Sequence, residues 1–345
     1  MTTDLAAVVR CLDSQKIKYN IMQRGKTAIL VLPEYGRVLG VWSNIEKDNH
    51  FWINQNFLDG RYDHNWANPG GHRIWLAPER DFFISDLKSP FETHQVPRAI
   101  DPGNYKCTCD KFIQLTNTGR LRSFTKQIDC DFSLIRTVSM LDDDKLSKFT
   151  LGRQIQIAGY EDNIELKTEG CPAGVWSLIQ VPLEGIISLP VSLSEKHKVF
   201  FGDPSSLVEY NNGLMELHLK PHPQQNFKLC FKASDCGSVI TCLHTYPDGL
   251  ASLIIKKFEI SDDNTYIDTP WNEPDDNGYT VQFFCGGTYG FAELETHAPV
   301  LEGPNGWQSK LKVDIRVVSG YVDLCLEYRR IFLETTYEAK ESDSG

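Results

Sequence analysis

The most demanding stretch of this sequence to bury is Gly290-Phe-Ala-Glu-Leu-Glu-Thr-His-Ala-Pro299. Strand alternation places Phe291, Glu293, Glu295 and His297 on one side, with Ala292, Leu294 and Thr296 on the other. Two carboxylates and an imidazole on one face are solvated, paired or functional, because unpaired burial is costly. A second stretch, Pro69-Gly-Gly-His-Arg-Ile-Trp-Leu-Ala-Pro-Glu79, combines two glycines with His72, Arg73, Trp75 and Glu79. Here His72, Ile74 and Leu76 share one face, and Arg73 and Trp75 share the other. The structural alternative is a glycine bulge beside a buried Arg–Glu pair. A third, Gly174-Val-Trp-Ser-Leu-Ile-Gln-Val-Pro182, sets Trp176, Leu178 and Gln180 on one face. Tryptophan serves equally as core or as a platform for a flat apolar ligand surface. A carboxylate facing an imidazole is the minimum equipment for general acid–base chemistry.

The surrounding elements read as strands. Thr27–Pro33 and Arg37–Ser43 flank a short Glu-Tyr-Gly turn, and Phe132–Ser139 alternates after Leu134. Trp176–Val181, Gly185–Leu189, Leu214–Leu219, Phe227–Phe231, Val239–Thr245 and Leu250–Phe258 follow at short spacing, then Val281–Phe284, Tyr289–Thr296 and Leu311–Val318. Only two segments carry helical periodicity. They are Leu5, Val8, Val9 and Leu12 after the cap candidates Thr2 and Thr3, and Leu324, Cys325, Tyr328, Ile331 and Phe332. Many short strands with turn signals predict an all-β antiparallel sandwich, with minor helices near both termini. No repeat or linker divides the chain, so one domain over 1–338 is expected, followed by a disordered polar tail at 339–345. The segment Asn56–Pro69 resists strand assignment, and such long loops often line sites.

Composition narrows the function classes. The 345 residues are 41% hydrophobic and 11% aromatic, with a formal net charge of −11 spread along the chain. Nucleic acid and anionic membrane require concentrated Lys and Arg, so neither is an expected partner. A neutral small molecule fits better. Oligomeric state is not legible. No apolar run reaches the roughly 18–20 residues of a membrane span, and Met1–Lys16 lacks an apolar signal core. The expected compartment is therefore the cytoplasm, with all ten cysteines reduced. Cys107 and Cys109 share a strand face without a second ligand pair, and Pro221 interrupts His218 and His222. No metal is expected. No phosphate loop or dinucleotide fingerprint is present, so no cofactor is expected either.

Taken in order, the three clusters resemble the galactose-mutarotase-like superfamily. The shared elements are GG-x-R-x-W-x-x-PE at Gly70–Glu79, W-S-L-x-Q-V-P at Trp176–Pro182 and E-L-E-x-H-x-P at Glu293–Pro299. Phe227-Lys-Leu229 and Tyr266-Ile-Asp-Thr-Pro-Trp271 fit as well, and the resemblance runs from about Gly36 to Val318. It implies a large antiparallel supersandwich whose concave face holds a carbohydrate. The run Leu294-Glu295-Thr296-His297 is similar to the element that supplies the general base in aldose 1-epimerases, which nominates Glu295, with Glu293 behind it. The family's mid-chain acid histidine has no counterpart in Trp176–Gln180. A second family histidine is matched best by His94, then by His72. The implied binding residues are Arg73, Trp75, Glu79, Trp176, Gln180 and His297, with Arg73 either orienting Glu79 or holding a sugar carboxylate. The implied activity is anomer interconversion; the alternatives are a non-catalytic sugar sensor and a lyase or hydrolase acting on a uronic-acid glycoside.

Overall fold

The computed structural model describes residues 3–62, 66–142, 146, 155–192, 197–221 and 226–342, the side chains of 334–342 excepted. Strands dominate. In chain order they are β1 (Asn20–Arg24), β2 (Thr27–Leu32), β3 (Arg37–Trp42), β4 (His72–Ala77), β5 (Lys106–Cys109), β6 (Ile113–Ser123) and β7 (Ile128–Met140). Next come β8 (Gln156–Glu169), β9 (Gly174–Pro182), β10 (Gly185–Pro190), β11 (Lys198–Phe201), β12 (Val208–Asn211), β13 (Leu214–Leu219) and β14 (Asn226–Lys232). The series ends with β15 (Val239–Thr245), β16 (Leu250–Phe258), β17 (Tyr279–Gly286), β18 (Phe291–His297), β19 (Val300–Gly303) and β20 (Gly306–Tyr321). They form two antiparallel sheets. The nine-stranded sheet runs β1-β2-β3-β4-β9-β18-β17-β14-β11, and the eleven-stranded sheet β12-β13-β10-β15-β16-β20-β8-β7-β6-β5, with β19 beside β20. This is the all-β antiparallel supersandwich that the resemblance implied.

Register brings the three clusters together. Across β4 and β9, Arg73 lies opposite Leu178 and Trp75 opposite Trp176. Across β9 and β18, Gln180 lies opposite Glu293, Leu178 opposite Glu295 and Trp176 opposite His297. Directly paired residues point to the same face, so one face of the sheet centre gathers all of them. Gly70 and Gly71 make the approach to β4 possible. Their φ angles are +100° and +76°, and a Cβ would meet Trp52 O at 2.4 Å and Val38 O at 2.3 Å respectively.

The opposite face packs on the second sheet in an apolar core that includes Ile74, Leu76, Ile179, Leu294, Leu134 and Ile315. Charged groups cross that core. His72 lies here and not in the cleft: its Nδ1 sits 2.7 Å from the Tyr160 hydroxyl and its Nε2 2.8 Å from Ser177 Oγ. Burial, then the Arg136 charge, pushes its pKa well below the usual histidine value. Arg136 Nη2 donates to Asp162 Oδ2 at 2.7 Å, both side chains being fully buried. Lys256 Nζ, on β16, donates to the carbonyls of Ser177 at 2.9 Å and Leu294 at 3.0 Å. Burial lowers the Lys256 pKa to about 7.

The helices differ from expectation in detail. Helix α1 (Leu5–Ser14) is capped by Asp4, whose side chain accepts from Ala7 N, so Thr3 is not the cap; Thr2 lies outside the described residues. Three single turns follow: α2 (Gln55–Leu58) at the start of the loop that resisted assignment, α3 (Glu79–Phe82) and α4 (Pro90–Thr93). The last helix, α5 (Val322–Ser342), buries Cys325, Tyr328 and Phe332 against β15, β16 and β20. Residues 339–342 continue this helix; 343–345 lie outside the described residues, as does His222. Among the described residues, no helix is long and apolar enough to cross a membrane. All ten cysteines are free thiols.

Candidate functional site

The cleft face of the nine-stranded sheet opens into a cavity of about 590 Å³. Its floor is made by β4, β9, β18 and β14. Its walls come from 66–68, from the 79–98 segment and from the loop before β17. Of the residues nominated from sequence, Arg73, Trp75, Glu79, His94, Trp176, Glu293 and Glu295 line it.

Glu295 lies at the centre, fully buried in the sheet. Its Oε2 accepts from Trp176 Nε1 at 2.8 Å and sits 3.3 Å from Lys228 Nζ. Its Oε1 has no hydrogen-bond partner among the described residues. Burial raises the carboxyl to a pKa of about 7, against the downward pull of Lys228 and with an upward push from Glu293. Lys228 also pairs with Glu79 Oε2 at 3.1 Å, and Glu79 Oε1 lies 3.2 Å from His94 Nε2. A chain of close contacts therefore runs His94–Glu79–Lys228–Glu295. Burial alone would raise Glu79, yet Lys228 and His94 bring it down to about 2. Burial disfavours charge on Lys228, but Glu295, Glu79 and Asp268 overcome it and hold the amine protonated. His94 is fixed by stacking on Phe83, with centroids 5.7 Å apart, and by a backbone bridge to Ile84.

Arg73 and Glu293 form a second, adjacent pair, with Nη2 2.6 Å from Oε1. Arg73 is thus committed to Glu293 and not to Glu79, because β4 and β18 project these side chains across β9 on the same face. Its guanidinium stacks 3.6 Å from the Trp75 centroid. Gln180 donates to the same Glu293 oxygen at 3.0 Å and is fully buried, so it supports Glu293 from beneath and does not line the cavity. His297 is likewise displaced from the expected binding set. It stacks on Trp176 at 5.3 Å behind the cavity wall, and burial followed by Lys228 keeps it neutral. The solvated alternative for the Glu293–Glu295–His297 face is ruled out by the burial of all three.

Residues that sequence reasoning passed over complete the site. Asp101 Oδ2 accepts from Arg37 at 2.6 Å and from the indoles of Trp66 and Trp75, each at 3.1 Å. Burial pushes Asp101 up, but Arg37 and Arg73 prevail and hold it below the usual carboxylate value. Asp268 accepts the Glu79 backbone N–H at 2.8 Å and Gln282 Nε2 at 2.7 Å. A single lysine in a strand, such as Lys228 in Phe227-Lys-Leu229, carries no signal of its partners. The loop aspartates carry even less. Among the described residues, no group of three or more His, Cys, Asp or Glu is placed to hold a metal ion.

The sequence profile of a family described as "Family of unknown function (DUF6786)" matches residues 5–300. The chain belongs to this family. The matched segment contains every residue of the cleft described above and ends before β20 and α5. No curated protein matches the chain. Two solved structures are similar at low identity. A galactose mutarotase-like protein from Lactobacillus casei ATCC 334 is 11% identical, covering 87% of this chain and 100% of that one, with a TM-score of 0.49. Galactose 1-epimerase from Lactobacillus acidophilus NCFM is 12% identical, covering 88% and 100%, with a TM-score of 0.37. Neither likeness is deep enough to transfer chemistry to this member of the family.

Proposed function

We propose that the cleft binds a carbohydrate and interconverts its anomers, with Glu295 as base and His94 as acid. The observation that carries this reading is the state of Glu295: one oxygen is held by Trp176 and Lys228, the other is unpartnered, and the group titrates near neutrality. A general base works best at such a pKa. The Glu295 carboxylate takes the proton from the O1 hydroxyl as the C1–ring-oxygen bond breaks, and His94 protonates the ring oxygen. Rotation of the resulting aldehyde and reversal of both transfers give the other anomer. Glu79 faces His94 Nε2, which leaves Nδ1 to exchange the proton.

A sensor without catalysis is the second reading. It is favoured by the ion pairs that neutralise Glu79 and Glu293. Saturation-transfer NMR on a panel of aldoses and uronic acids separates the two. Under the catalytic reading wild type exchanges anomers, and Glu295→Gln abolishes exchange while affinity stays within about tenfold, because the amide keeps an acceptor but takes no proton. Binding without catalysed exchange in wild type refutes the catalytic reading in favour of the sensor.

A further inference from the structure

The cavity is larger than its acid–base end. Beyond Lys228, the same space is walled by Phe91, Phe201, Trp271, Phe284, Tyr289 and Phe291. Trp271 stacks on Phe201 with centroids 5.2 Å apart and planes at 20°, and Phe91 meets Trp271 edge-on at 4.7 Å. On the other lip, Tyr289 stacks on Phe291 at 6.1 Å and 28°. Phe91 and Tyr289 are 65% and 61% exposed, more than any other large apolar side chain among the described residues. They reach the cavity from different segments, α4 and the β17–β18 turn. Two such side chains held over a single opening, each at the cost of exposed apolar surface, mark a place that a ligand covers.

The distance to the acid–base centre identifies the occupant. Glu295 is on β18 and Phe201 on β11, with β17 and β14 between them. Three strand spacings make roughly 14 Å, at about 4.8 Å each. That backbone interval exceeds one six-membered ring, and part of it is filled by Lys228, the register partner of Phe201, whose Nζ reaches Glu295 Oε2 at 3.3 Å. A ligand that fills both ends continues past the reacting ring with a second unit that has flat apolar faces. A pyranose offers such faces through its C–H groups and presents its hydroxyls to Asn226, which lines the same part of the cavity.

Building on the carbohydrate reading of the acid–base end, we infer that the ligand is a reducing disaccharide or longer oligosaccharide. Its reducing-end unit lies at Glu295, and its next pyranose lies between the Phe91 and Tyr289 lips on the Phe201–Trp271 stack. The remaining capacity supports this, since cavities of roughly 300–1,000 Å³ take ligands well above the size of one sugar ring.

The test compares D-glucose with maltose and cellobiose, and D-galactose with β-1,4-galactobiose, by titration calorimetry and saturation-transfer NMR. The corresponding 4-nitrophenyl glycosides form a separate arm. Wild type is expected to bind at least one disaccharide about tenfold more tightly than its monosaccharide. In the Phe91→Ala/Tyr289→Ala double variant that ratio falls toward one, with monosaccharide binding as the check on folding. Equal affinity for one and two rings overturns the inference, as does equal weakening of both in the double variant. A gain confined to the nitrophenyl glycosides also overturns it, in favour of a pocket for a hydrophobic aglycone. If monosaccharides bind and disaccharides gain nothing, this inference alone fails; if no sugar binds, the carbohydrate reading fails with it.

Discussion

Glu295→Gln is expected to stabilise the protein, and the gain is expected to depend on pH. In the folded chain the carboxyl titrates near 7, raised first by burial from an ordinary value of 4.5. A carboxyl with a raised folded pKa costs stability as pH climbs from the unfolded value through the folded one. Below about pH 4.5 both states hold the proton, so Glu and Gln behave alike. Between 4.5 and 7 the unfolded chain has released the proton while the folded chain retains it, and stability falls by up to about 1.4 kcal/mol per pH unit. Above 7 the loss levels off at roughly 3.5 kcal/mol, the difference between 4.5 and about 7 at about 1.4 kcal/mol per pH unit. Glutamine avoids this loss and keeps the Trp176 hydrogen bond. Urea denaturation of wild type and variant at pH 5, 6, 7 and 8 measures the difference directly, since all other titrating groups are common to both. A difference that is flat with pH, or that shrinks as pH rises, refutes the placement of Glu295 as a reluctant, buried carboxylate.

Two further perturbations probe the scaffold. Lys256→Met removes an amine whose folded pKa, about 7, lies below its ordinary 10.5. Wild type therefore gains stability as pH rises from 7 toward 10, and its stability relative to Lys256→Met should improve over that window by up to about 1.4 kcal/mol per unit; a constant difference in denaturant melts counts against the burial of a charged amine between the sheets. Asp101→Ala leaves the buried Arg37 guanidinium and two indole N–H groups without their shared acceptor. A loss of about 3–5 kcal/mol by equilibrium unfolding is expected, and a loss below about 1 kcal/mol shows that Asp101 is not the anchor.

Period-two alternation was enough to find β18 and to place Glu293, Glu295 and His297 on one face, and likewise Arg73 and Trp75 on β4. What alternation leaves open is which face turns to the cleft and what stands opposite. His72 carries a site-like side chain, but its parity with Ile74 and Leu76 commits it to the inter-sheet core. The long strands β6 and β8 were not recognised because Asn117 and Gly119 in β6 and Asp162 in β8 interrupt the apolar pattern of their inward faces, and such residues are poor strand formers. The ion-pair partners were illegible for a different reason. Lys228 meets Glu79 across 149 residues and Arg73 meets Glu293 across 220, so only the folded sheet order brings them together.

That sheet order has a consequence for how the protein is made. β4 and β18 flank β9 in the middle of the nine-stranded sheet, so the residues already synthesised up to β17 have no central partner to close against. On the ribosome, β9 exposes one edge until residue 297 has left the exit tunnel, and the faces destined for the core stay open to wrong partners for nearly the whole of synthesis. Pairings this remote in sequence are slow to form, because a long loop must close before any contact rewards it. The cleft therefore cannot close before β18 is available, and chains that stop short of it have no Glu295 and an unpaired edge on β9.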